Sequence, residues 1–363
     1  MSQPTSSRGG SNGEARDTDW DGVRLHIMSG KGGTGKTTVA AALALALAAG
    51  GRKVLLVEVE GRQGIAQAFD LPPLPYEERK IAVAPGGGDV YALAVDPEEA
   101  MLEYLDMFYG IRRMGKALTR MGVVDFATTI APGLRDVLVT GKTSEAVRRR
   151  DKSGRRVYDA IVMDAPPTGR IARFLNVTQE VAGLARVGPI KNHADLVRGV
   201  LTSPETAVHF VTLLEEMPVQ ETLDGIDELR TTGLPVGGVF VNMVRPAGLP
   251  GSVLEAAARG RFDSAELALG LKTAGLTDAT ADTTAVAEAL AREVTEHALR
   301  TELEKRERVA LEEAGVPRYD LPLLPDGADL AGLYELADAL RAQAVAGTAW
   351  HERCGVNFDR VRG

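Results

Sequence analysis

The run Gly30-Lys31-Gly32-Gly33-Thr34-Gly35-Lys36-Thr37 sets two glycines five positions apart and follows the second with lysine and threonine. That spacing describes a phosphate-binding loop. Its glycines let consecutive backbone N–H groups turn inward on an anion, with a helix N-terminus behind them. In such a loop Lys36 reaches the β- and γ-phosphates of a nucleotide, Thr37 ligates Mg2+, and Thr38 follows in the first helical turn. A carboxylate to share the cation stands at Asp164, which closes the apolar run YDAIVMD. From a strand end it can hold Mg2+ through the ion's water shell. The residues after it, Ala165-Pro166-Pro167-Thr168-Gly169-Arg170, form a turn able to shift with a γ-phosphate.

Such a loop needs a strand before it and a helix behind it. From Val23 the chain reads VRLHIMSG, and beyond the glycines TTVAAALALALAAGG, a helix in which nearly every side chain is small or apolar. Further apolar runs follow at 53–59, 89–95, 158–164, 207–213, 236–244 and 319–324, most of them separated by helical patterns. Continuous apolar strands of this kind are buried on both faces, so the expected fold is α/β, a mostly parallel sheet with helices on both faces. Residues 97–150 and 175–205 depart from the alternation and read as an inserted helical subdomain. In the first of these, Met107, Ile111, Met114, Leu118 and Met121 make one apolar seam, read as subdomain core, dimer contact or client surface. Charged helix is expected over 282–314 and an amphipathic helix over 328–344. Residues 1–20 hold almost no apolar side chains and are expected to be a disordered tail; the phosphate-loop domain then runs over 21–345, with a C-terminal tail over 346–363.

Composition removes several functions. Fifty acidic against 42 basic residues give a net charge of −8, which disfavours nucleic acid as a partner. Cys354 is the single cysteine and the five histidines stand far apart, so no disulfide and no zinc site is expected, in keeping with a reducing cytoplasm. The longest apolar run, Val39 to Ala49, is too short for a transmembrane segment.

Lys31 is superfluous to an ordinary phosphate loop, and it makes the motif similar to the deviant Walker A form KGGxGKT. The stretch Asp164 to Arg170, continuing as IARFL, resembles the DTAPTGHTLRFL switch of the arsenite-pump (ArsA-type) and tail-anchored-protein-targeting (Get-type) ATPases. That resemblance runs from Leu25 to about Leu333 and implies a SIMIBI-type phosphate-loop NTPase. It implies that Lys31 reaches the nucleotide of a facing subunit, that Asn242 reads the adenine edge, and that the backbone of Leu321-Pro322-Leu323-Leu324-Pro325 lies beside adenine. It also implies ATP and Mg2+ as cofactors, and a homodimer or a heterodimer with a paralogous ATPase.

The sequence departs from the family at two places. Glu60 and Gly61 stand where the family has an Asp-Pro pair whose Asp positions the attacking water, and Arg170 stands where it has histidine. Glu60 therefore inherits the catalytic place, together with Lys31 and Lys36, and Arg170 is expected to pair with phosphate or with Glu60. A second phosphate loop, a metalloid cysteine site and a CxxC pair are missing from the sequence, so neither arsenite nor zinc is expected. The switch reading VEGRQG matches the bacterial single-domain branch. The expected function is a slow Mg-dependent ATPase, a nucleotide-switched dimer that handles a protein or membrane-associated client; the alternative is a regulatory module whose hydrolysis is incidental.

Overall fold

The computed structural model describes residues 20, 22–96, 98–100, 102–103, 134–184, 189–246, 248–261, 263–276, 282–325, 327–343 and 345. The strands that read as continuous apolar runs form the middle of one sheet. They are β1 (Leu25–Gly30), β2 (Lys53–Glu58), β4 (Asp89–Ala94), β5 (Ala160–Asp164), β6 (Thr206–Thr212) and β7 (Val236–Val244), with β8 (Arg318–Pro322) at one edge. An eighth strand, β3 (Arg79–Val83), lies at the other edge, giving the order β3-β4-β2-β5-β1-β6-β7-β8. Every pairing is parallel except β3 with β4, which closes through a glycine turn and is irregular between Lys80 and Ala82. The side chains of β3 stay half-buried or exposed, so no apolar run announces the strand.

Helices cover both faces, because strands buried on two sides need two apolar layers. One layer holds α1 (Lys36–Ala48), whose Val39 to Ala48 are all buried, and α10 (Leu330–Ala342), which presents Leu333, Leu336 and Leu340. The helix expected over 328–344 is this one, entered at Asp329, whose carboxylate accepts from the Gly332 N–H at 2.8 Å. The other layer holds α3 (Leu134–Arg148), α4 (Thr168–Leu184), α5 (Pro189–Leu201) and α6 (Glu216–Thr232), which contribute Leu138, Val139, Phe174, Val197, Ile226 and Leu229. Helices α7 (Gly251–Ala258) and α8 (Ser264–Thr273) pack on α9 (Thr283–Glu313), the long charged helix. A short α2 (Gly64–Ala68) follows β2. Of the expected helical subdomain, α3, α4 and α5 pack on one another; the Met107 to Met121 seam lies outside the described residues. No described helix is long and apolar enough to cross a membrane.

Trp20 corrects the expected tail boundary. It is only 7% exposed, donates its indole N–H to the Tyr319 hydroxyl at 2.7 Å, and stacks on the rings of His26 and His209 at 5.2 Å each. The Gly238 N–H donates to His209 Nδ1 at 2.9 Å, so the ring proton of His209 sits on Nε2 and faces His26 Nδ1 at 3.2 Å. His26 then carries its own proton on a buried Nε2 that finds no hydrogen-bond partner.

Burial holds both imidazoles in the neutral form. It takes His209 down to about 3, and it takes His26 well below the ordinary value with His209 and Arg52 adding to the effect. Unfolded histidines protonate near pH 6.5, so the unfolded chain takes up protons before the native chain as pH falls. The contribution of the pair to stability is complete above about pH 6.5 and falls below it by about 1.4 kcal/mol per pH unit for each histidine. Urea unfolding followed from roughly pH 7.5 down to pH 5 should show the midpoint dropping below about pH 6.5; a flat profile would contradict this account.

Candidate nucleotide-binding site

The residues singled out above gather at the C-terminal ends of the parallel strands, where open α/β sheets bind ligands. Strand β5 lies between β1 and β2, with Asp164 in register with Met28 on one side and Glu58 on the other. The loop after β1 and the segment after β2 therefore meet across the end of β5.

The loop has the backbone its glycines permit. Gly30 has φ 150°, and a Cβ there would run into the main-chain carbonyl of Val211. Gly35 caps α1 in the left-handed region at φ 85°, and the space its Cβ would need is taken by the side-chain amide of Asn242. No acidic side chain lies in the first turn of α1, so its N-terminal dipole is left for an external anion. Gly32 and Gly33 are exposed at the mouth of the loop. Thr34 turns inward, where its hydroxyl donates to the Lys31 carbonyl at 2.9 Å.

Behind the loop Thr37 Oγ1 donates to Asp164 Oδ2 at 2.6 Å, joining the two expected Mg2+ ligands. Burial pushes the Asp164 carboxyl up to about 6, the Thr37 hydroxyl and Lys36 ammonium pull it back, and Glu58 and Glu60 add to the rise. A divalent cation offsets such a penalty, and a hydroxyl with one carboxylate is the sparse oxygen set that Mg2+ takes when phosphate and water complete its shell. The donor set fits the ion.

The segment after β2 separates two carboxylates that look alike in the run Glu58-Val59-Glu60. Glu58 is buried, and its two carboxylate oxygens accept from the Gly64 N–H at 3.3 Å and the Ile65 N–H at 3.1 Å. It anchors the start of α2, and no motif marked it for that task. Gly64 itself lies against Thr37, with room for a Cβ only 3.1 Å from the threonine methyl. Glu60 instead faces outward, 20% exposed, 3.7 Å from Arg62 Nε and 3.8 Å from Arg170 Nη1. The pairing of Arg170 with Glu60 is one of the two expected from sequence.

Asn242 donates its amide to the Thr34 carbonyl at 2.9 Å, so in this conformation it supports the loop. Pro322 pairs with Val244 in the β7–β8 ladder, and the Leu323 N–H donates to the Val244 carbonyl at 2.9 Å, which sets this stretch beside the Asn242 end of β7. Ser29, absent from the sequence reading, donates to the Pro166 carbonyl at 2.7 Å and ties the end of β1 to the turn after β5. Lys31 forms an ion pair with Glu221 of α6, 190 residues away. No pattern in the sequence could have joined those two.

A family model described as Anion-transporting ATPase matches residues 23–197, which hold the loop, both switch segments, α3, α4 and the first part of α5. The ATPase BagA of Mycobacterium tuberculosis (strain ATCC 25618 / H37Rv) is 56% identical over 324 residues, 89% of this chain and 94% of that protein. More distant similarity connects the chain to the ATPase GET3 of Kluyveromyces lactis, 23% identical over 61% of this chain and 72% of the relative. An arsenical pump-driving ATPase of Acidiphilium multivorum is 27% identical over 61% of this chain and 39% of its own length. With the phosphate loop backed by a paired Thr37 and Asp164, and with a relative this similar along nearly its whole length, the chain belongs to the anion-transporting ATPase family and is an ATPase.

Proposed function

We infer that this ATPase binds Mg·ATP as a nucleotide-switched dimer and couples hydrolysis to the handling of a protein or membrane-associated client. The observation that carries the reading is the convergence on Thr37, which Asp164 holds from one side and Gly64 of the first switch touches from the other. Thr37 and Asp164 would hold a Mg2+, which would supply positive charge against the phosphates. Around it Lys36 and the backbone N–H groups of Gly33 to Thr37 bind phosphate, with Thr38 in the same turn. Glu60 orients the water. Asn242 is assigned to the adenine edge and the backbone at Pro322 to the adenine face.

Coupling outward has a physical route. Glu60, Arg62 and Arg170 of the two switches share a cavity of about 180 Å³ with Asp136 and Val139 of α3. A change at either switch therefore presses on the helical layer. The regulatory alternative draws support from the same place, because Arg62 and Arg170, 3.7 and 3.8 Å from the Glu60 carboxylate, compete with a water for its oxygens, which favours slow turnover.

Lys31→Ala tests the dimer. The expected result is ATP affinity within about threefold of the parent with turnover lowered at least about tenfold, because one charge-assisted contact of the transition state is lost. A protein that sediments as a monomer at all concentrations with full ATPase activity would overturn the reading. Stimulation of turnover by hydrophobic peptides or membranes separates client handling from the regulatory module.

A further inference from the structure

The Lys31–Glu221 ion pair has no task in the fold. Both side chains are about one third exposed, 30% and 35%, a setting in which an ion pair adds little to stability. Helix α6 is held instead by Val219, Thr222, Ile226 and Leu229, all buried against the sheet. The main chain at Lys31 is equally settled, since its carbonyl accepts from the Thr34 hydroxyl. What the pair does fix is the direction of the lysine side chain, which is turned onto its own subunit.

We propose that Glu221 is a latch on Lys31. It is a positioning residue that keeps the lysine within its own subunit, so that dimerisation on ATP must open one such pair in each protomer. This rests on the dimer reading above. One helix turn beyond Glu221, on the same face of α6, Gly225 lies against the second switch. A Cβ on Gly225 would stand 2.5 Å from the Thr168 methyl and 2.8 Å from the Phe210 ring. The face that holds Lys31 therefore rests on the Pro-Thr-Gly turn. A shift of that turn toward a γ-phosphate moves the surface carrying Glu221 and links release of the latch to the bound nucleotide. An exposed pair is suited to this, because opening one costs about a factor of five at most in equilibrium, and opening two about twenty-five.

The test is sedimentation velocity over a range of protein concentrations with Mg2+ and a non-hydrolysable ATP analogue, alongside steady-state ATPase. Glu221→Gln should lower the concentration at which half the protein is dimeric by about two- to twenty-fivefold. Its turnover at saturating protein and its KM for ATP should stay within about twofold of the parent's, since the residue touches no phosphate. Glu221→Asp, which keeps the charge, should restore most of the parental midpoint. In a Lys31→Ala background, Glu221→Gln should have no further effect, because the latch acts only through the lysine. An unmoved or raised midpoint for Glu221→Gln, or an effect that persists without Lys31, overturns the latch. A parent protein that stays monomeric at every concentration with full turnover would overturn the dimer reading itself. Loss of turnover in Lys31→Ala with an unmoved Glu221→Gln midpoint would remove only the latch.

Discussion

Lys36→Ala should abolish ATP binding and leave the fold standing. The lysine is the first residue of α1, and the buried stretch of that helix begins only at Val39, so truncation leaves the apolar contacts with β5, β2 and α10 in place. Its lost function is large. A charge-assisted contact to phosphate is worth up to about 3 kcal/mol, and Lys36 is the one loop side chain assigned to the β- and γ-phosphates of its own subunit, so affinity should fall on the order of a hundredfold. Thermal unfolding with and without Mg·ATP reads both halves of the prediction. Ligand at a hundred times its Kd stabilises the parent by about 2.7 kcal/mol, and this shift should vanish in the variant while the nucleotide-free midpoint stays put. Undiminished protection of Lys36→Ala would mean that the phosphates bind elsewhere.

Glu60→Gln should stop hydrolysis with ATP affinity nearly unchanged. Between its two guanidinium neighbours Glu60 is the carboxylate of the first switch that remains accessible, whereas Glu58 spends both oxygens on the backbone of α2. The amide keeps the shape of the side chain and loses its ability to accept the proton of the attacking water. A loss of about a hundredfold to ten-thousandfold in single-turnover rate follows. Glu60→Asp restores the carboxylate of the family and should retain hydrolysis; the absence of proline at Gly61 leaves the loop room to adjust. If Glu60→Gln turned over like the parent under saturating Mg2+, the water would be oriented by another group and Glu60 would serve only to hold Arg170.

The parallel strands were legible because burial on both faces demands runs such as KVLLVE and AIVMD, which few other structures require. The phosphate loop was legible for a related reason, since a backbone that wraps an anion leaves almost no choice at Gly30 and Gly35. What stayed hidden depends on partners far away along the chain. Trp20 stands among polar residues and is buried only because His26, His209 and Tyr319 arrive from three separate strands. Strand β3 is an edge strand with no fully buried side chain, so it carries no apolar signature. The different duties of Glu58 and Glu60 are decided by where the N–H groups of Gly64 and Ile65 point, and local sequence does not specify that direction.

The placement of β5 has a consequence for how the molecule is made. Strands β1 and β2 are neighbours in the sequence, yet neither hydrogen-bonds to the other; β1 has only β5 and β6 as ladder partners. A growing chain that carries the whole phosphate loop thus has nothing to build it against until residues 160–164, and the interval before them, have emerged. The non-local pairing is slow to reach and leaves an unpaired strand, buried along its whole length in the finished fold, exposed in the meantime. Nucleotide is not expected to rescue such an intermediate, because Asp164, the carboxylate proposed to share a cation with Thr37, arrives on the same late strand. ATP therefore selects only for chains synthesised past that point, and the first half of the protein has to be kept from aggregation without help from its own ligand.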